Sequence, residues 1–266
     1  MRVRLVFNLV NKGAELPFHH QYIITNFLLE YIETYLRSVK EPDKVFYNFS
    51  SLKGQTSLGK GSLQFLSNKV SIIFTSNDEG LIDYLIHELY NKSLVMLGRL
   101  ELVPANVDKE NTIDFTTEMK YVCLSPIAIA NPMEDSIFAQ KYINPSFDLF
   151  SDTLYENTLN RMEQAGYSSD ELSQYYQFQL IPDKEYLSKM KDGQKKIARV
   201  FPVFIQNEKL ELRGYIFPFK LYAHPKVQEF IFTCGFGTFA EKGFGMLDIA
   251  NTDPNFRVIP YSIKKK

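Results

Sequence analysis

Four glycines within eleven residues constrain the end of this chain more than any other feature. The stretch runs Gly235-Phe236-Gly237-Thr238-Phe239-Ala240-Glu241-Lys242-Gly243-Phe244-Gly245, two Gly-Phe-Gly triplets around a polar span with one lysine. Glycine enters positive φ without steric cost and lets another backbone come close, so such a pattern suits a loop whose amides face an anion, phosphate above all. The alternative is a tight turn with a purely structural role. A Walker loop needs Lys-Ser/Thr after its last glycine, and here Gly245 is followed by Met246-Leu247. A dinucleotide fingerprint needs a strand before the loop and a helix after it. Here a helix-like apolar run, Val227 to Cys234, leads in and a strand, Met246 to Ala250, leads out. Both nucleotide motifs are excluded.

Upstream, periodicity gives the element order. Residues 2–10 alternate as a strand, and Pro17 opens a helix to about Ser38 with Ile23, Phe27, Leu28, Tyr31, Ile32 and Tyr35 at helical spacing. Strands follow at 45–49 and 70–75, with Gly54, Gly59 and Gly61 breaking the connection between them. Asn77 or Asp78 caps a second helix to about Tyr90, and residues 94–103 form a strand. This is a β-α-β-β-α-β plan. After a polar link, 104–117, the plan repeats more loosely. Strand 121–130 and a helix from Ser146 or Asp148 to about Ala165 come first, then strands near 175–181, 198–206 and 210–222. A short helix from Pro225 and strand 246–250 complete it. The expected class is α+β with two tandem ferredoxin-like domains, 1–117 and 118–266, the second carrying the glycine-rich loop.

Two cysteines, Cys123 and Cys234, exclude a disulfide framework and fit a reducing cytoplasm. No run of 18 or more apolar residues exists, so no membrane span or signal peptide is expected. The net charge of −1 argues against a nucleic-acid partner, but its distribution argues for one. Residues 121–183 hold two basic and nine acidic side chains, and residues 184–266 hold fifteen basic and eight acidic. The glycine loop lies in that basic end, where a phosphate-binding face is expected. A mixed solvated surface with a Lys264-Lys265-Lys266 tail is the plainer reading. The four histidines (His19, His20, His87, His224) have no metal-ligand spacing with carboxylates, so neither metal nor cofactor is expected.

The double Gly-aromatic-Gly motif just before the last strand resembles the glycine-rich loop of the CRISPR-associated endoribonucleases that process repeat RNA, members of the RAMP superfamily. An N-terminal Arg-Leu-Val strand, the Leu16-Pro17-Phe18-His19-His20-Gln21-Tyr22 helix opening and Leu124-Ser125-Pro126-Ile127-Ala128 near mid-chain extend the likeness. The resemblance implies two ferredoxin-like folds, CRISPR repeat RNA as partner with other effector subunits as further partners, and a monomer or a homodimer. It also implies metal-independent cleavage, in which a 2′-hydroxyl attacks the adjacent phosphate to leave a 2′,3′-cyclic phosphate and a 5′-hydroxyl. That chemistry needs a base, an acid and positive charge on the phosphorane.

The family typically places its catalytic histidine shortly after the first helix, and this chain has none there. Arg37 stands at that position and Lys44 near the position of a family lysine. Two arrangements remain open: His19 or His20 acts from the helix start, or Arg37, Lys40 and Lys44 stabilise the phosphorane while RNA geometry aligns the attack. His19 and His20 can equally be a structural pair. RNA contacts are expected from Gly235, Gly237, Lys242, Gly243 and Gly245, and from a hairpin-like basic segment with Lys189, Lys191, Lys195, Lys196 and Arg199 around Asp192-Gly193. Phe236, Phe239 and Phe244 either stack on bases or lie buried under the loop.

Overall fold

The computed structural model describes residues 1–39, 44–129, 143–191, 197–205 and 208–261. The chain forms two compact units, one of residues 1–112 with 253–266 and one of residues 113–252. The first contains β1 (Arg2–Leu9), β2 (Glu15–Pro17), α1 (Gln21–Ser38), β3 (Tyr47–Phe49), β4 (Thr56–Leu58), β5 (Ser62–Phe65), β6 (Lys69–Ser76), α2 (Glu79–Tyr90), β7 (Val95–Leu97) and β8 (Leu100–Glu110). The second contains β9 (Glu118–Cys123), β10 (Ile127–Ala128), α3 (Asp148–Gln164), α4 (Ser169–Leu172), β11 (Phe178–Pro182), α5 (Lys184–Lys191), β12 (Ala198–Ile205), β13 (Glu208–Tyr215), β14 (Phe219–Ala223), α6 (Pro225–Cys234) and β15 (Leu247–Ile249). The last strand, β16 (Val258–Pro260), returns to the first unit.

In the first unit the sheet order is β16-β8-β1-β6-β3, with β7 also on β8. Strands β8-β1-β6-β3 with helices α1 and α2 make the ferredoxin-like plan. Alternation in β1 turns Val3, Leu5, Phe7 and Leu9 inward, against Ile24, Leu28, Tyr31 and Ile32 of α1 and Leu81, Ile82, Leu85 and Leu89 of α2. In the second unit β11-β14-β9-β15 repeats the plan, with α3 and α6 as its two principal helices. Both tandem ferredoxin-like folds are therefore present.

Several local readings change. The connection containing Gly54, Gly59 and Gly61 carries the edge of a small sheet, β2-β5-β4. Residues 210–222 are not one strand, because the chain leaves β13 at Tyr215 and re-enters a different sheet at Phe219. The β12–β13 hairpin joins β10 in a separate three-stranded sheet. The C-terminal segment, assigned by sequence to the second domain, instead lengthens the first unit's sheet. Val258 and Pro260 pair with Glu110 and Asp108. Arg257 reaches Glu110 at 3.6 Å, and Glu110 also meets Arg2 at 3.1 Å. A buried carboxylate needs cationic partners, and these two come from opposite ends of the chain.

A β-bulge between Val6 and Phe7 interrupts the β1–β8 register. The Tyr90 hydroxyl, at the end of α2, fills the break. It accepts the Val6 N–H at 3.0 Å and lies 2.8 Å from the Asn106 carbonyl and 3.1 Å from that of Val6, donating its proton to one or the other. Burial pushes its pKa well up, so the phenol stays neutral. Tyr90→Phe leaves backbone groups without this partner and is expected to lower stability by about 1–3 kcal/mol, measured by urea unfolding.

Candidate nucleic-acid interface

Helix α6 starts at His224, whose Nδ1 accepts the Lys226 N–H at 3.2 Å, with Pro225 at its first position. It ends where Gly235 takes φ 85°. Gly237, Gly243 and Gly245 follow at φ 89°, 78° and 69°. All four glycines are buried.

Amides along the stretch bond to protein. Phe236 N–H donates to Gly245 O at 2.8 Å, Thr238 N–H to Ala128 O at 2.8 Å and Gly245 N–H to Pro126 O at 2.7 Å. Gly243 N–H donates to Ala240 O at 2.8 Å, and Met246 N–H to Ser125 Oγ at 2.8 Å. The carbonyls converge on a cation. Arg161 of α3 donates from Nη1 to Gly235 O at 2.6 Å and to Gly237 O at 3.3 Å, and from Nη2 to Cys234 O. Gly243 and Gly245 thus spend their amides on protein carbonyls, which corrects the expectation that they present them to phosphate, and Gly235 and Gly237 are buried with their carbonyls on Arg161. The loop's convergent groups are C=O rather than N–H, and their guest is the half-buried guanidinium of Arg161.

Two glycines are required by space as well as by φ. A Cβ at Gly245 falls 1.8 Å from Phe236 O, and one at Gly237 falls 2.5 Å from Ala128 O. Phe236 and Phe244 are buried, so two of the three candidate stacking rings are unavailable. Phe239, at φ 63°, is half-buried, and Lys242 is half-buried at the end of the 3-10 turn Ala240–Lys242. Phe244 meets Phe201 of β12 edge-on at 5.6 Å, joining the loop to the β12–β13 hairpin. On that hairpin Arg199 is exposed near the start of β12. Val200, paired with Arg213, and Phe204 are 44% and 45% exposed. Lys189 and Lys191 belong to helix α5 rather than to a hairpin, while Lys195 and Lys196 lie outside the described residues.

The candidates around α1 divide between its two ends. His20 immediately precedes α1 and is 5% exposed. Its Nδ1 is 3.1 Å from Pro17 O, and its ring stands edge-on to Phe65 at 6.2 Å. A carbonyl only accepts, so in the neutral ring the proton sits on Nδ1 and Nε2 keeps the lone pair. Burial lowers the His20 pKa, opposed by the Pro17 bond and helped by neighbouring His19. His19 is half-buried.

Arg37 lies in the last turn of α1, exposed and bonded to Glu33 at 2.8 Å. Seventeen residues of helix separate it from His20, about 25 Å at 1.5 Å per residue. One active site cannot contain both. Lys44 is exposed, its ammonium 5.4 Å over the Phe46 ring. Phe46 N–H donates to Asn77 Oδ1 at 2.8 Å, next to Asp78, which caps α2 and accepts the Tyr35 hydroxyl at 2.9 Å. Burial and then Asp78 raise the Tyr35 pKa. The structure thus ties Tyr35, Asp78, Asn77 and the segment from Lys44 that leads into β3 together at the Arg37 end of α1. Sequence reasoning counted Tyr35 only in the apolar stripe. Among the described residues no three His, Cys, Asp or Glu side chains form a metal-holding group.

Residues 108–249 match the family model described as CRISPR-associated protein Cas6, C-terminal. No curated protein matches the chain in sequence. Among solved structures, the product of a Cas6-related gene from Pyrococcus furiosus superposes with a TM-score of 0.76 at 18% identity, over 95% of this chain and 99% of that one. A RAMP protein described as binding different RNA substrates gives 0.74 at 18%, over 94% and 100%. A CRISPR-associated Cas6 protein gives 0.71 at 18%, over 94% and 99%. These likenesses confirm the fold across both units.

Two variants test the loop and the buried histidine. Gly245→Ala drives a methyl into the Phe236 backbone and is expected to cost at least about 3 kcal/mol, read as loss of the folded second unit by limited proteolysis. For His20, the folded pKa lies below the unfolded value of about 6.5, so the unfolded chain takes up the proton first as pH falls. The contribution is therefore intact above about pH 6.5 and is lost as pH drops from there through the lower folded pKa. His20→Gln should flatten that acid-side decline in unfolding free energy. An unchanged slope counts against the burial effect.

Proposed function

The chain belongs to the Cas6 family of CRISPR-associated proteins, and from that premise we propose that it binds the repeat of a CRISPR precursor transcript and cuts it once per repeat. The family match over residues 108–249 carries this reading, and the two ferredoxin-like units agree with it. Cleavage proceeds without a metal: the 2′-hydroxyl attacks its own phosphate in line, the P–O5′ bond breaks, and a 2′,3′-cyclic phosphate and a 5′-hydroxyl result. Arg37 and Lys44, both exposed, supply positive charge to the phosphorane at the C-terminal end of α1. RNA folding supplies the in-line geometry. His20 supports the helix start, since a ring 5% exposed and 25 Å or so along the helix from Arg37 has no access to the same phosphate. Arg199 and Lys242 contact the RNA backbone outside the cut.

One observation favours a second reading, repeat binding without cleavage. By sequence no histidine follows α1 before His87, and Arg37 is held by Glu33. The test is incubation with repeat RNA in EDTA. A cut product ending in a cyclic phosphate, slowed roughly 10- to 100-fold in Arg37→Ala and Lys44→Ala, is the expected result. Slowing in His20→Gln with normal rates in the other two would move the chemistry to the start of α1. Intact RNA bound tightly would favour the second reading, and an absence of both binding and cleavage would overturn the two together.

A further inference from the structure

Strand β3 begins beside the turn into α2, and a side chain completes the pairing there. The β3–β6 register matches Tyr47 with Ser76, so Phe46 and Asn77 face each other one step beyond it. Facing residues at a hydrogen-bonded position of an antiparallel pair exchange two backbone bonds. One of these is Asn77 N–H to Phe46 O, at 3.2 Å. In place of the return bond from the Asn77 backbone, Phe46 N–H donates to the Asn77 side chain, Oδ1 at 2.8 Å. The chain is already turning at this point, because Asp78 caps α2 by accepting the Gly80 and Leu81 N–H groups.

The rest of the carboxamide is used as well. Asn77 Nδ2 donates to the Lys44 carbonyl at 3.4 Å, so one side chain grips the backbone on both sides of Val45. Ser76 Oγ adds a bond to Phe46 O at 2.8 Å. Phe46 is therefore held at its N–H and at its C=O, and its ring is the one over which the Lys44 ammonium lies, at 5.4 Å. The same corner reaches α1, since Asp78 accepts the hydroxyl of Tyr35, two residues before Arg37. A Cβ at Gly80 would fall 2.6 Å from that hydroxyl, so the bare residue leaves room for the contact.

We infer that Asn77 is a positioning residue for Lys44: its carboxamide stands in for a missing strand bond and fixes the segment from which the Lys44 ammonium meets the phosphorane. Lysine has a long flexible stem, and a cation lowers a barrier most when it is already placed where charge develops. The inference rests on the proposed role of Lys44 in cleavage and adds a residue that acts only through it.

The experiment uses the full chain, the variants Asn77→Ala and Lys44→Ala, and their double, with repeat RNA in EDTA under single turnover. Asn77 is exposed, so Asn77→Ala should melt near the wild-type temperature. The expected result is a plateau rate about tenfold lower in Asn77→Ala, with the half-saturating protein concentration changed by less than about twofold. The double variant should be no slower than Lys44→Ala, because a positioning residue then has nothing left to place. An unchanged rate in Asn77→Ala, or a loss in the double equal to the product of the two single losses, would overturn the inference. A second readout needs no cleavage. Competitive acetylation with acetic anhydride, read by mass spectrometry, compares Lys44 with the exposed Lys69 of β6. Freed from the Phe46 ring, Lys44 of Asn77→Ala should be acetylated about twofold faster relative to Lys69 than in wild type. If wild type leaves the RNA intact, the cleavage reading fails and this ratio decides the positioning alone: a raised ratio supports it and an unchanged one overturns it. If wild type cuts the RNA and the ratio is unchanged, only the positioning falls.

Discussion

The guanidinium of Arg161 dictates the shape of the second unit's C-terminal third. Arg161 is half-buried, and a charge drawn out of water without hydrogen-bonding partners is costly. Its partners are the carbonyls at the C-terminal end of α6, where the helix leaves acceptors unsatisfied and where its dipole favours a cation. Turning successive carbonyls toward one point demands positive φ at Gly235 and Gly237. The Phe230 ring, 5.5 Å from the guanidinium carbon, completes the enclosure. The first Gly-Phe-Gly triplet is thus what a helix end needs in order to close around an arginine. The second lets the returning chain pass against Phe236, where no side-chain carbon fits at Gly245.

Fixing the loop this way has consequences beyond it. Phe244 is held under Phe201, so the β12–β13 hairpin with Arg199 and Arg213 is carried by a rigid base. The first unit uses comparable devices at its own weak points. Tyr90 supplies hydrogen bonds where the β1–β8 register slips, and Glu110 gathers Arg2 and Arg257 from the two ends of the chain. In each case a polar group is placed where regular hydrogen bonding or sequence continuity fails.

The double ferredoxin-like plan was legible because its strongest signals are local. Alternation in residues 2–9 and the helical stripe through Leu28, Tyr31 and Ile32 belong to single elements and survive without tertiary information. What depended on distant partners was not legible. Strand β16 is three residues long and exists only because β8 offers an edge, so the tail read as part of the second domain. The loop's polarity was hidden for a similar reason, since a glycine pattern shows that backbone groups can converge but not whether they are N–H or C=O. A signal was nonetheless present. Arg161 is one of only two basic residues in 121–183, set on a helix among Leu154, Thr158 and Met162, which are all buried. An isolated cation on a buried helix face calls for acceptors, and the nearest helix end supplied them. Tyr35 was read as apolar because spacing reports where a side chain lies and says nothing of what its hydroxyl meets.

Charge follows the same rule, and it bears on where RNA can be held. The surplus of seven positive charges in 184–266 suggested a basic end around the glycine loop. Folding redistributes it. Arg257 goes to Glu110 in the first unit, and Lys220 is bridged to Glu118. Lys120, which falls just outside both counted segments, lands directly across from Lys220. A strand pairing therefore brings two lysines from positions a hundred residues apart to one carboxylate, Glu118, in a place that no window along the sequence marks. The electrostatic attraction for a phosphate chain is set by such pairings, because a charge already neutralised at hydrogen-bond distance contributes little to the field that an approaching anion meets.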